Sequence, residues 1–234
     1  IAMADSSGTA YFYGLHSGFA ATAGYAYTIT PCLVDEETGN LRFAPNLGTY
    51  GMIQFPRAIL MNKAEEFFSV EVFECGTIAL FDAYCPTSFL PGELQITPLE
   101  AEGQSAPRFY GYAMDPNLAF AAVYSKPEIP IMAIYTRPPR VIGILMNSTG
   151  LATKGPGFKV EVGKAEHISL TALRVVQESW FLDEGRLREL HGRFVFSSGA
   201  RAEQYHSKAA EDMVLAYGAL RDRDYDTAYG MAWE

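Results

Sequence analysis

Phe68-Ser69-Val70-Glu71-Val72 recurs ninety residues later as Phe158-Lys159-Val160-Glu161-Val162. Ile78 and Leu80 recur at the same offset as Ile168 and Leu170. In both stretches an apolar residue alternates with a polar one, the period of a strand with one buried face. Only Glu74-Cys75-Gly76 and Lys164-Ala165-Glu166 separate the two alternating runs, so each stretch predicts a β-hairpin.

The likeness extends outward from this pair. Pro56-Arg57 with Ile59-Leu60-Met61-Asn62 is echoed by Pro139-Arg140 with Ile144-Leu145-Met146-Asn147. Phe12-Tyr13-Gly14 matches Phe109-Tyr110-Gly111, and Phe19-Ala20-Ala21 matches Phe120-Ala121-Ala122. Downstream, Phe89-Leu90, Gly92 and Leu94 are echoed by Phe181-Leu182, Gly185 and Leu187. The matches keep one order along the chain, which reads as an internal duplication. Residues 1–105 form a first copy with an uncharged N-terminal arm, 106–199 a second copy, and 200–234 a C-terminal helix and aromatic tail. The expected fold is α+β and β-rich: two tandem pseudo-symmetric units, each an antiparallel sheet with a hairpin and short helices. Further strands are expected at 25–29, 118–124, 129–135 and 193–196. The strongest helix signal covers 200–221, with Ser198 as cap and Tyr205, Ala209, Met213, Ala216 or Tyr217, and Leu220 recurring at helical spacing. Shorter helices are expected at 58–67 and 183–191.

The chain has 234 residues, of which 18 are Lys or Arg and 27 Asp or Glu, for a net charge of −9. That balance excludes a general nucleic-acid binder and a polybasic membrane-surface module, both of which need clustered cations. Hydrophobic residues at 49% and charged residues at 19% imply a packed core. No apolar run is long enough for a transmembrane helix. Cys32, Cys75 and Cys85 form no C-x-x-C pattern, so a soluble protein of a reducing compartment is expected. The start at Ile1 suggests that a targeting segment has been removed.

Catalytic motifs fail on inspection. In Gly14-Leu15-His16-Ser17-Gly18 the serine is one place too late for a nucleophile elbow. Gly150 and Gly155 have phosphate-loop spacing, but Pro156 stands where the lysine belongs. His16, His167, His191 and His206 are scattered, with His167 expected to face solvent. Asn147-Ser148-Thr149 is a sequon without other signs of secretion, and Glu71 and Glu161 are expected to be outward strand residues. No catalytic, cofactor-binding or metal-binding residue is assigned, and no cofactor is implied.

Abundant aromatics, few charges and a long uncharged segment at one end instead suggest extensive surface contact, most simply with copies of the same chain. The residues expected to make it are Tyr13, Phe19, Tyr25 and Tyr27 on the N-terminal arm, Arg57 and Arg140 after their matched prolines, and Tyr225, Tyr229 and Trp233 in the tail. A processed N-terminus, the tandem Phe68-x-Val70-Glu71-Val72 and Phe158-x-Val160-Glu161-Val162, an acidic balance and the lack of a catalytic motif resemble the pyrenoid shell proteins of diatoms and related algae. The resemblance implies a non-enzymatic chloroplast protein, in the stroma or pyrenoid, that assembles into a sheet, tube or shell. Its partners would be itself and the proteins of the Rubisco matrix. Two alternatives are carried beside it. The chain is also similar to the γ-type linkers of phycoerythrin, internally repeated and with bilins on cysteine, although those are basic and these cysteines do not repeat. The other is a small-molecule enzyme or binding protein whose pocket, between the copies, gathers Arg57 and Arg140.

Overall fold

The computed structural model describes residues 3–13, 27–50, 57–59, 67, 69–85, 88, 90–150, 153–193 and 199–233. In chain order the strands are β1 (Tyr27–Ile29), β2 (Leu33–Val34), β3 (Leu41–Pro45), β4 (Arg57–Ile59), β5 (Val72–Glu74), β6 (Gly76–Phe81) and β7 (Gln95–Glu100). They continue as β8 (Tyr110–Asp115), β9 (Phe120–Ser125), β10 (Ile131–Arg137), β11 (Arg140–Leu145) and β12 (Ala165–Ile168). A single helical turn, α1, spans Leu47–Tyr50, and three helices, α2 (Thr171–Arg193), α3 (Gly199–Arg221) and α4 (Tyr225–Trp233), end the described chain. The fold is therefore mixed α+β, β-rich, with a C-terminal helical segment.

Two sheets share the main core. One has the order β12-β6-β9-β8, with β12 parallel to β6 and the other pairs antiparallel; the second is the antiparallel sheet β11-β10-β7. Ile78 and Leu80 of β6, Val123 of β9 and Ile168 of β12 meet Ile96 of β7, Ile131 and Tyr135 of β10 and Leu145 of β11. Each such aliphatic side chain taken out of water contributes about 1.5–3 kcal/mol. β10 reads Ile-Met-Ala-Ile-Tyr because both its faces are covered: Ile131, Ala133 and Tyr135 enter the main core, while Met132 and Ile134 join Ala101 and Met146 in a second one. Helix α2 follows β12 directly and packs along β11, closing that side of the sandwich with Val175. Gly143 makes the approach feasible, since a Cβ there would lie 2.2 Å from Val175 Cγ1.

Beside the sandwich, β2, β3 and β5 form a small sheet, and β1 pairs with β4. The hairpin expected at Glu74-Cys75-Gly76 is absent. β5 pairs with β3, β6 pairs with β9 and β12, and the chain runs on through Cys75. The Cys75 N–H donates to Arg42 O (2.9 Å) and its carbonyl accepts from Gly163 N–H (3.0 Å), so neighbouring segments take the groups a turn would have used. Glycine is required next to it, because a Cβ at Gly76 would lie 2.5 Å from Glu161 O. The second expected hairpin is likewise replaced. Phe158 makes one bridge to Ile131, and β12 pairs in parallel with β6.

The structure does not confirm the duplication. β6 and β12 do lie side by side, but Ile168 stands opposite Leu80, two residues out of step with the sequence match. Leu90 and its match Leu182 fall in different structures, the first directly before a 3₁₀ turn at Pro91–Glu93 and the second inside α2. Sheets are shared between the halves: β6 and β7 of residues 1–105 pair with strands of 106–199.

The expected strands at 25–29, 118–124 and 129–135 correspond to β1, β9 and β10, and the helix at 200–221 to α3. The helix expected at 183–191 begins much earlier, at Thr171, where its start is held by another segment: Asp82 Oδ2 accepts the Leu170 N–H at 3.2 Å and the Thr171 hydroxyl donates to Phe81 O at 2.7 Å. Within the helix expected at 58–67, Ala58 and Ile59 belong to the strand β4, Phe67 is in neither helix nor strand, and the residues between lie outside the described residues. Ser198 and residues 194–196 lie outside the described residues. The tail at 222–234 contains a helix, α4, whose N-cap Asp224 accepts the N–H (3.1 Å) and hydroxyl (2.6 Å) of Thr227.

Candidate functional site

The residues that build a surface here are those that fix the three helices to the sandwich and decide which helical face is left outside. Glu178, 4% exposed, receives the backbone N–H groups of Met146 and of Ser148 (2.9 Å) beyond the end of β11. Asn147 between them holds φ at 61°, the left-handed region, which turns consecutive N–H groups toward one carboxylate. Burial raises the Glu178 carboxyl above its ordinary value, opposed by the N–H groups of Ser148 and Met146 and by Arg174. One residue earlier Gln177 accepts a hydrogen bond from the Tyr217 hydroxyl of α3.

Less than one turn further along, Trp180 stacks on His206 with ring centroids 4.5 Å apart and 3° between planes, and its indole N–H donates to His206 O at 2.9 Å. His206 Nε2 lies 2.7 Å from Glu184 Oε2, whose other oxygen receives Arg188. The Arg188 hydrogen bond, and then that of His206, hold the Glu184 carboxyl below its usual range. These polar groups join α2 to α3 and to β11. Leu173, Val176, Met213, Ala216, Tyr217, Leu220 and Ala232 line a small apolar cleft among the three helices. Among the described residues no group of three or more His, Cys, Asp or Glu is placed to hold a metal ion, and no helix is long and apolar enough to cross a membrane.

Burial separates the cysteines. Cys75 and Cys85 are fully buried and Cys32 is exposed. Desolvation pushes the Cys75 thiol up to about 12. A bilin-bearing linker would thus have Cys32 alone accessible for attachment. A thiol-reagent titration of the native protein is expected to show one fast thiol per chain and three after denaturation; two or three fast thiols would contradict the burial of Cys75 and Cys85.

The expected contact residues are not brought together. Tyr13 is 86% exposed and stacks with Tyr11, centroids 6.4 Å apart. Phe19 and Tyr25 lie outside the described residues. Tyr27 on β1 stands opposite Ile59 and Arg57 on β4 opposite Ile29, while Arg140 is exposed at the start of β11 opposite Arg137, in a different sheet, so no junction gathering Arg57 and Arg140 is formed by strand pairing. Tyr225 is 54% exposed. Tyr229 is half-buried, and burial, with Asp82 and Tyr84 close by, pushes its hydroxyl up to about 12. Trp233 ends α4. Tyr205, placed by periodicity on the inner face of α3, is 60% exposed.

The sequence reading missed Val214 and Leu215, 61% and 56% exposed on the outer face of α3. The signal was present: Met213-Val214-Leu215-Ala216-Tyr217 is too wide an apolar run for a single helical stripe, so part of it must face outward. No family model, curated protein or solved structure matches the chain.

Proposed function

We propose that the chain is a non-catalytic structural protein that associates with copies of itself. The observation that carries this reading is the arm Tyr11-Phe12-Tyr13: three consecutive aromatic side chains 61%, 41% and 86% exposed, just after a turn in which Asp5 Oδ1 accepts the N–H groups of Ser7 (2.8 Å) and Thr9 (3.0 Å). Aromatic surface held in water at about 25 cal/mol per Å² is stabilised by any partner that covers it, and consecutive exposed rings mark a contact and not scatter. Repeated contacts of this kind extend into a sheet, tube or shell when the symmetry does not close. The pyrenoid-shell resemblance adds a setting to the proposal: the chloroplast, with the Rubisco matrix enclosed and its proteins as second partners. Tyr11→Ser with Tyr13→Ser is expected to leave the circular dichroism unchanged and to weaken association measured by sedimentation velocity. Association unchanged by the double substitution would remove the arm from the contact.

A further inference from the structure

One aromatic ring beside the main sheet carries two cations. Lys126 Nζ lies 4.0 Å and Arg108 Cζ 5.3 Å from the centre of the Phe109 ring. We propose that Arg108 and Lys126 form a binding site for a tetrahedral dianion, a phosphate or a phosphate monoester. The site does not depend on the self-association proposed above. Its groups are held by the scaffold. Phe109 directly precedes β8 and Lys126 directly follows β9, and continuing the register one pair beyond Tyr110 and Ser125 sets them side by side on the same face of the sheet. The ring is fixed in turn by Phe73, 6.1 Å away, and by the buried cluster of Ala44, Phe73 and Cys75 on which it packs. The backbone of Arg108 is pinned by α1, since a Cβ on Gly48 would lie 2.0 Å from Arg108 O.

Both charges lack an anionic partner. Among the described residues neither Arg108 nor Lys126 has a carboxylate at ion-pair distance, unlike Arg137, Arg186, Arg188 and Lys208. The negative face of the ring attracts each cation by about 0.5–1 kcal/mol, while the two cations, gathered on one ring, repel each other. An anion bound between them replaces that repulsion with two attractions. Arg108 is exposed, so its planar fork can turn to two oxygens of one phosphate, and the half-buried Lys126 offers its ammonium to a third. A dianion matches the pair in charge, whereas chloride or a single carboxylate leaves one cation unmatched. With a net charge of −9 the chain as a whole repels anions, so binding has to come from this local pair and not from a general positive field.

The test is calorimetric titration of inorganic phosphate into the full chain, at an ionic strength held constant with sodium chloride. Saturable binding is expected in the wild type. Arg108→Gln and Lys126→Gln, each checked for folding by circular dichroism, are expected to weaken it by about tenfold or more. Lys154→Gln removes an exposed charge from the segment after β11 and is expected to leave binding unchanged. A second titration with glycerol 3-phosphate separates the two sources of the dianion. Binding as tight as that of phosphate upholds the site for an esterified ligand, and much weaker binding upholds it for the free ion. No saturable binding of either probe at millimolar concentration overturns the site. So does binding that Arg108→Gln and Lys126→Gln leave intact, or that all three variants weaken equally.

Discussion

Val160→Asp is expected to unfold the sandwich. Val160 is 6% exposed in the main core, and its Cγ1 lies 2.7 Å from where a Cβ on Gly76 would be, so it packs directly on the backbone of β6. An aspartate there either buries an unpaired charge or is neutralised by proton uptake, and it also loses the valine packing. The combined cost is on the order of 5 kcal/mol, a large part of the stability of a typical domain. Val160→Ala, which only leaves a small void, is expected to cost about 2 kcal/mol and remain folded. Urea unfolding followed by circular dichroism separates the two. An aspartate variant as stable as the alanine variant would mean that 158–162 does not belong to the core.

Glu178→Ala is the second large effect. It leaves the N–H groups of Met146 and Ser148 without their acceptor in a buried site, and about 3–5 kcal/mol of stability is expected to be lost. Glu178→Gln keeps an acceptor oxygen and is expected to lose much less. The pair also carries a pH signature. Because the folded carboxyl titrates above its ordinary value of 4.5, the folded state holds the proton more tightly than the unfolded chain. Stability therefore falls as pH rises from that ordinary value through the raised one, and this contribution is constant above it. Glu178→Gln is expected to flatten that segment of the stability profile. An unchanged slope would place the titration elsewhere.

β6, β9 and β10 were legible as strands, β6 from the alternation of Ile78 and Leu80 and β9 and β10 as short apolar runs. What β6 pairs with was not. β12 is four residues long and joins β6 in parallel from a distant part of the sequence, and nothing local encodes such a crossover. The start of α2 was hidden for a similar reason, since it is held by Phe81 and Asp82 on another segment and its first two turns hold Thr171, Val175 and Val176, poor helix formers read alone. The start of α4 was readable in principle, because Asp224 three places before Thr227 is a local cap. Of the residues expected at contacts, Tyr13, Arg140 and Tyr225 are exposed and Tyr229 is half-buried. Tyr205 did not follow its helical pattern, since which side of a helix is buried depends on neighbours that periodicity does not name.

Self-association is most directly tested by sedimentation equilibrium of the purified chain across the micromolar range, with negative-stain imaging of the highest concentration. The expected result is a mass that climbs well above 25.7 kDa with concentration and ordered assemblies on the grid. A mass fixed at 25.7 kDa at every concentration, with only dispersed particles, would contradict it.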